Sequence, residues 1–319
     1  MKLILKLIGS LVLLAILGAV GMVVFLFTAF PKVSPPAEIT IEITPERLAR
    51  GAYLANHVTV CIDCHSKRNW DFYGGPPIAG TEGQGGELFP EVGRLYAPNI
   101  TPAALGDWTD GELLRAVSEG VDKNGEPLFP LMPYRLYAHM DQEDLYSILA
   151  YIKTLKPIEN AVPRSQLKFP LNLIVRTIPQ PANFQPKPAE SDSIAYGKYL
   201  ATIGGCIICH TPQEKGQMVP GMEFAGGFEI ALSNGQVARG ANITPHEKTG
   251  IGGWTRAQFI QQFKKYELPE NQQLPAEVFN TPMPWVMYAG MTEADLGAIY
   301  AYLRTLKPVD HAVEKFEIP

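Results

Sequence analysis

Residues 58–67 read VTVCIDCHSK, and residues 203–212 read IGGCIICHTP. The cysteines of the second copy lie 145 positions after those of the first, and the two copies consume all 4 cysteines of the 319-residue chain. Two thiols three positions apart suit a redox pair, half of a zinc site, a disulfide or a thioether anchor for haem. A thioredoxin-type pair belongs to a βαβ setting and does not require the neighbouring histidine. Zinc takes four ligands at one site, whereas each copy offers two thiols and one imidazole. Attachment of c-type haem accounts for the histidine as well: both thiols add to porphyrin vinyl groups, and the next residue is held under the iron as its proximal ligand. The pattern therefore assigns covalent haem to Cys61 and Cys64 with His65, and to Cys206 and Cys209 with His210.

The repetition extends well beyond the cysteines. RGAYLA (50–55) matches YGKYLA (196–201), NITP occurs at 99–102 and again at 242–245, and AYIKTLKP (150–157) matches AYLRTLKP (301–308). A unit of about 120 to 130 residues is written twice, which is too long for a solenoid period and suits a compact domain. Residues 157–190 hold seven prolines, as a semi-rigid connector does. Inside it, FPLNLIVRTI is apolar enough to lie against a domain. The expected division is 1–38 as anchor and tether, 39–160 as the first domain, 161–186 as connector and 187–319 as the second domain.

The leader is a different material. Residues 7–30 form a run of 24 without a charge, long enough to cross a hydrocarbon core of about 30 Å. Lys2 and Lys6 precede the run, which places the N-terminus in the cytoplasm and the rest of the chain outside. A cleaved signal peptide has a shorter apolar region, about 7 to 15 residues, and an A-x-A-like site, whereas this run ends FTAFPKV. An uncleaved anchor is the favoured reading, and the body is exported in either case. The formal charge of -5 and the lack of a basic stripe exclude a nucleic-acid binder.

Helix starts are legible in both units. Thr109-x-x-Glu112 and Thr255-x-x-Gln258 are capping boxes, with Trp108 or Trp254 before them and Leu113 or Phe259 as hydrophobic staple partners. Asp141 and Thr292 open the final helices, preceded by Met140 and Met291, and Thr44 before Pro45 opens the first. Alternation with period two is scarce, so the expected fold is mostly α with long loops rich in Gly and Pro.

The sixth coordination position decides what a haem can do. Of the 9 methionines, only two pairs are equivalent between the copies: Met132 with Met283, and Met140 with Met291. The second pair is already occupied as staple residues. Met132 and Met283 lie in loops, each followed by a proline, and are the expected axial ligands. Asn99 and Asn242 of the NITP loops, with Trp108 and Trp254, are candidates for the haem edge, where amide and indole N–H groups would bond a propionate. A plain loop-to-helix turn explains the same residues equally well. The glycines between 74 and 86 read as turns.

With these residues in place, the chain resembles the class I cytochrome c superfamily over residues of about 40–160 and 187–319. GAYLA, CIDCH, NITP, WT, MP and AYIKTLKP are similar to the modules of membrane-anchored multihaem cytochromes, among them the cytochrome subunits of periplasmic alcohol-type dehydrogenases. The resemblance implies two tandem cytochrome c domains after an N-terminal transmembrane helix, with two covalently bound haem c groups. It also implies that the helix carrying Gly51 and Tyr53 crosses the last helix near Tyr151, and that the helix carrying Gly197 and Tyr199 does so near Tyr302.

The expected role is an electron-transfer protein, not itself an enzyme, held at the bacterial inner membrane with its haem domains in the periplasm. It would take electrons from a dehydrogenase or quinol-oxidising complex and pass them towards a terminal oxidase. A dihaem peroxidase, which needs one displaceable axial ligand, and a fixed subunit of an alcohol-type dehydrogenase are the competing readings.

Overall fold

The computed structural model describes residues 1–90, 92–232, 236–275 and 278–317. The chain opens with α1 (Lys2–Ala29), none of whose residues is buried. By length and composition it is able to cross a membrane. The first half then runs through α2 (Pro45–Tyr53), α3 (Cys61–Cys64), α4 (Pro102–Leu105), α5 (Asp110–Glu119), α6 (Tyr134–Tyr137) and α7 (Gln142–Ile152). The connector contributes α8 (Leu171–Ile174) and a following 3-10 turn, Val175–Thr177. The second half supplies α9 (Ser193–Ile203), α10 (Cys206–Cys209), α11 (Arg256–Lys264), α12 (Trp285–Ala289) and α13 (Glu293–Leu303).

The helices begin where their capping residues stand. Thr44 accepts from the Arg47 amide at 3.2 Å, with Pro45 in the first turn. Thr109 with Glu112 and Thr255 with Gln258 both form complete capping boxes, satisfying amides that the helix itself leaves unpaired. Asp141 and Thr292 cap α7 and α13, and Met140 and Met291 before them are 0% and 3% exposed.

Each half is built on one crossing of its first and last long helices, α2 on α7 and α9 on α13. The crossings are close because a glycine stands at each. A Cβ at Gly51 would sit 1.9 Å from the Ser147 carbonyl oxygen and 2.9 Å from Tyr151 Cβ, and one at Gly197 would sit 1.9 Å from the Ala298 carbonyl oxygen. Ser147 and Ala298 are equivalent positions, so the same contact is made twice.

The approach to the cysteines differs between the halves by one residue. Tyr53 precedes Cys61 by eight positions, whereas Tyr199 precedes Cys206 by seven. The extra residue is absorbed by a π-helical turn, Leu54–Val58, where α9 stays regular. Both halves then bend through a left-handed residue into the cysteine helix: Val60 at φ 47° and Gly205 at φ 68°.

Short strands, which alternation did not reveal, close each half. β1 (Leu88–Phe89), β2 (Gly93–Tyr96) and β3 (Gln166–Leu167) form one antiparallel sheet. A two-stranded hairpin of β4 (Gln213–Glu214) and β5 (Gln217–Met218) follows α10. β6 (Glu229–Ala231), β7 (Val237–Arg239) and β8 (Phe316–Glu317) form a second three-stranded sheet. In both three-stranded sheets the last strand comes from beyond the final helix, so each half is tied shut by its own C-terminal segment.

The halves share one continuous apolar core. Their contact is reciprocal: Tyr53 Oη donates to Asp295 Oδ2 at 2.5 Å, and Tyr199 Oη donates to Asp144 Oδ2 at 2.7 Å. Tyr53 and Tyr199 are equivalent in the repeat, as are Asp144 and Asp295, so the contact has the self-complementary form of a two-fold interface. Arg50 completes one side with a two-point ion pair to Asp144, at 2.9 and 2.8 Å. On the other side His57 Nδ1 meets the Met287 carbonyl oxygen at 2.9 Å.

Candidate haem sites

Each candidate site starts from a single helical turn. α3 and α10 are four residues long, and His65 and His210 stand at their C-terminal ends. His65 Nδ1 lies 2.8 Å from the Pro98 carbonyl oxygen, and His210 Nδ1 lies 2.7 Å from that of Ala241. A carbonyl only accepts, so the proton sits on Nδ1 and the Nε2 lone pair is left bare in both rings. Burial lowers the pKa of both histidines, against the opposing pull of those carbonyls, and so favours the neutral imidazole that a metal ligand must be.

Pro98 and Ala241 are the residues immediately before the two NITP loops, and the loops hold those carbonyls in place. Asn99 Oδ1 accepts from the Thr101 amide and hydroxyl, both at 2.8 Å, while its Nδ2 donates to the Ile158 carbonyl at 2.8 Å. Asn242 repeats this with Thr244 at 2.9 and 2.7 Å and with the Val309 carbonyl at 2.9 Å. The asparagine amides therefore tie the loop to the segment behind the last helix, and it is the backbone just before them that reaches the imidazole.

Three further pairs complete the cradle, of which the sequence singles out only Gly85, as a turn residue. Gly85 N donates to the His65 carbonyl and Gly226 N to the His210 carbonyl, each at 2.7 Å. Both glycines have positive φ, at 69° and 80°. A Cβ at Gly85 would stand 2.5 Å from the Pro98–Asn99 peptide, and one at Gly226 would stand 2.6 Å from the Ala241–Asn242 peptide. Ser66 and Thr211, both fully buried, accept from Gly83 N at 3.1 Å and Phe224 N at 3.0 Å. The Tyr137 hydroxyl donates to the Thr59 carbonyl at 3.2 Å and that of Tyr288 to the Gly204 carbonyl at 2.7 Å, closing the turn that leads into each cysteine pair. Ser66 and Thr211 each follow the histidine directly, and Tyr137 and Tyr288 each stand five residues after the loop methionine, so these two pairs recur at matched offsets, whereas Gly85 and Gly226 lie 20 and 16 residues after their histidines.

The four cysteines are unpaired. Burial raises the pKa of every one: Cys64 and Cys206 to about 12 and Cys209 to about 11, with Cys61 moved in the same direction. Reactive thiols and dithiol redox pairs need the opposite shift, towards the thiolate. Among the described residues no three His, Cys, Asp or Glu side chains converge as a metal cluster, so neither pair has the donor set of a structural zinc. Two unpaired thiols on one turn, beside an imidazole whose outer nitrogen is bare, are what thioether attachment of haem requires, and this donor set fits the group.

Met132 and Met283 occupy matched loops just before α6 and α12. They are half-buried, and their carbonyl oxygens accept from the Tyr134 amide at 2.7 Å and the Trp285 amide at 2.8 Å. Both pack against the core. Trp108 is half-buried with Lys123 Nζ 5.8 Å from its ring centre, and Trp254 is 38% exposed. Both tryptophans stand one residue before a capping box.

The two sites are neighbours. A Cβ at Gly204, beside Cys206, would approach the Val58 carbonyl of the first half at 3.4 Å. Residues 70–74, just past His65, are bound to the loop that carries Met283. Asn280 Nδ2 donates to the Trp70 and Phe72 carbonyls at 2.9 Å, and Gly74 N donates to Asn280 Oδ1 at 3.0 Å.

A protein of Cereibacter sphaeroides named diheme cytochrome c-type is 30% identical over 264 residues, which cover 78% of this chain and 83% of the relative. The chain belongs to the cytochrome c family. The cytochrome c family profile matches residues 194–307, the second half of this cytochrome. The cytochrome is also 30% identical to the gluconate 2-dehydrogenase cytochrome c subunit of Pantoea cypripedii, and 28% identical to the cytochrome c subunit of alcohol dehydrogenase (quinone) of Gluconacetobacter polyoxogenes. Each of those alignments covers 82% of the cytochrome. It spans 60% and 56% of the length of these two relatives.

Proposed function

We propose that this cytochrome is a two-haem electron carrier built of tandem cytochrome c domains, residues 39–160 and 187–319, joined by the connector 161–186. We further propose that it is held at the inner membrane by residues 1–38, with its domains in the periplasm. The observation that carries this reading is the duplicated histidine lock. Behind each cysteine pair an imidazole gives its Nδ1 proton to a backbone carbonyl, at 2.8 and 2.7 Å, and keeps Nε2 for a ligand. One such lock is a feature of a helix end. Two of them, at equivalent positions with four otherwise unused thiols, make two sites of one kind.

Each haem, when bound, supplies a one-electron ferric/ferrous couple. The chain's own residues would do the rest. Cys61 with Cys64 and Cys206 with Cys209 would hold the porphyrins, and His65 and His210 would be the proximal ligands. The Pro98 and Ala241 carbonyls would hold those rings in one orientation and raise their donor strength. Met132 and Met283, carried on proline-stiffened loops, would each offer a thioether sulfur to the iron beside the imidazole, a ligand set that favours electron transfer over chemistry on oxygen species. Asn99, Asn242, Trp108 and Trp254 would shape the surrounding loops.

The electron donor is proposed to be a dehydrogenase, because curated relatives are cytochrome subunits of gluconate, alcohol and fructose dehydrogenases. A terminal oxidase is the proposed destination. Mild detergent extraction from the native membrane tests the assignment. The cytochrome is expected to travel with a larger dehydrogenase, and its haem absorbance to turn ferrous when that enzyme's substrate is added. Isolation alone, with an oxidised high-spin centre that reacts with peroxide, would replace this reading with the peroxidase one.

A further inference from the structure

We propose that the connector segment 168–178 lies in the membrane interface and makes a second contact with the bilayer, which fixes how the haem-binding halves stand above it. This rests on the anchored reading of α1. The observation behind it is Arg176, a buried arginine only 7% exposed, in a connector with no catalytic residue. Its Nη2 donates to the Phe30 carbonyl at 3.0 Å and its Nε to the Leu26 carbonyl at 3.4 Å. Its guanidinium lies 4.4 Å from the centre of the Phe27 ring. Nη1 meets Glu126 Oε2 of the first half at 3.0 Å. One side chain thus satisfies carbonyls at the end of α1, which have no intrahelical partner, and ties that end to both the connector and the body.

Depth follows from length. The uncharged run of 24 residues, 7–30, rises about 36 Å as a helix, against a hydrocarbon core of about 30 Å. The last turn of α1 therefore stands near the level of the headgroups, and Arg176 holds the connector beside that turn. There the connector presents Phe169, 79% exposed, and Ile174, 47% exposed, with Leu171 and Leu173 half-buried and Lys168 adjoining them. Apolar and aromatic side chains flanked by a cation are the composition of segments that lie in the interface plane. Lipid is the occupant the geometry favours over a protein partner. The exposed face adjoins Phe27, 53% exposed on a helix that lipid itself would surround, through the arginine that touches both.

A photoreactive phenylalanine analogue placed singly at positions 169, 174, 17 and 88 of the full chain in lipid nanodiscs tests this. Position 17 lies within α1, and position 88 is in β1 of the first half. Lipid adducts are expected at 17, 169 and 174, with none at 88. Arg176→Ala is expected to reduce the adducts at 169 and 174 and leave that at 17 unchanged. Lipid adducts at 17 alone, or protein adducts at 169 and 174 once a redox partner is added, would overturn the proposal while leaving the anchor intact. Absence of an adduct at 17 as well would remove the anchored reading together with it.

Discussion

Gly85 and Gly226 show how tightly His65 and His210 are held. Any side chain there meets the peptide whose carbonyl binds the imidazole, 2.5 or 2.6 Å away, on a backbone already at positive φ. Gly85→Ala and Gly226→Ala are each expected to cost about 1 to 3 kcal/mol in denaturant titrations, through left-handed strain added to the clash. Asn99→Ala and Asn242→Ala act one step further out. Each strips a buried Thr amide and hydroxyl of their acceptor, and a loss of about 1 to 3 kcal/mol is expected at either position. If the two loops do equivalent work, the two losses will be similar; a cost at only one of them would show that the repeat is not functionally matched. The cysteines and histidines were legible because they recur at one spacing, and the NITP loops because the same four residues follow them in the same order, 38 residues after Cys61 and 36 after Cys206. The part played by the Pro98 and Ala241 carbonyls was not, since a backbone acceptor leaves no side-chain signature.

At the scale of elements, the helix crossings are set by contacts that admit no atom beyond glycine. Gly51→Ala and Gly197→Ala each force a Cβ to within 1.9 Å of a carbonyl oxygen on the facing helix. Since two helix axes must then separate in a packed core, loss of more than about 3 kcal/mol or failure to fold is expected, and thermal melting of each variant measures it. Removing a capping box is milder: Thr109→Ala or Thr255→Ala is expected to cost about 1 kcal/mol. Helix starts were readable because a cap is a local chemical event, a hydroxyl or carboxylate accepting a nearby amide. Strands of two to four residues were not, because alternation needs a longer run to be distinguished from chance. The π-helical turn left a trace that was open to reading: eight residues from Tyr53 to Cys61 against seven from Tyr199 to Cys206.

For the whole molecule, the reciprocal tyrosine–aspartate contact joins the halves, and it was invisible in the sequence because its partners lie in different copies. Tyr53→Phe and Tyr199→Phe each delete one hydrogen bond to a carboxylate across the interface, worth about 1.5 to 3 kcal/mol. Burial pushes the Asp144 carboxyl upward, but the hydrogen bonds and charge of Arg50, aided by Tyr199 and Lys187, outweigh it, and its pKa is lowered. A depressed carboxylate stabilises the fold above its unfolded value of about 3.9, and this contribution fades as pH falls through the lower folded value. Stability is therefore expected to drop below about pH 4, and Asp144→Asn is expected to flatten that part of the profile while lowering stability at pH 7. A profile with the same acid slope in the variant would show that the interface pair does not titrate.

The most direct test is a count of haems and thiols on the intact chain after expression with haem-maturation machinery. The account predicts two haems per chain that survive denaturation and extraction with acidified solvent, and no alkylation at Cys61, Cys64, Cys206 or Cys209. A single retained haem, or free thiols at either pair, would contradict it.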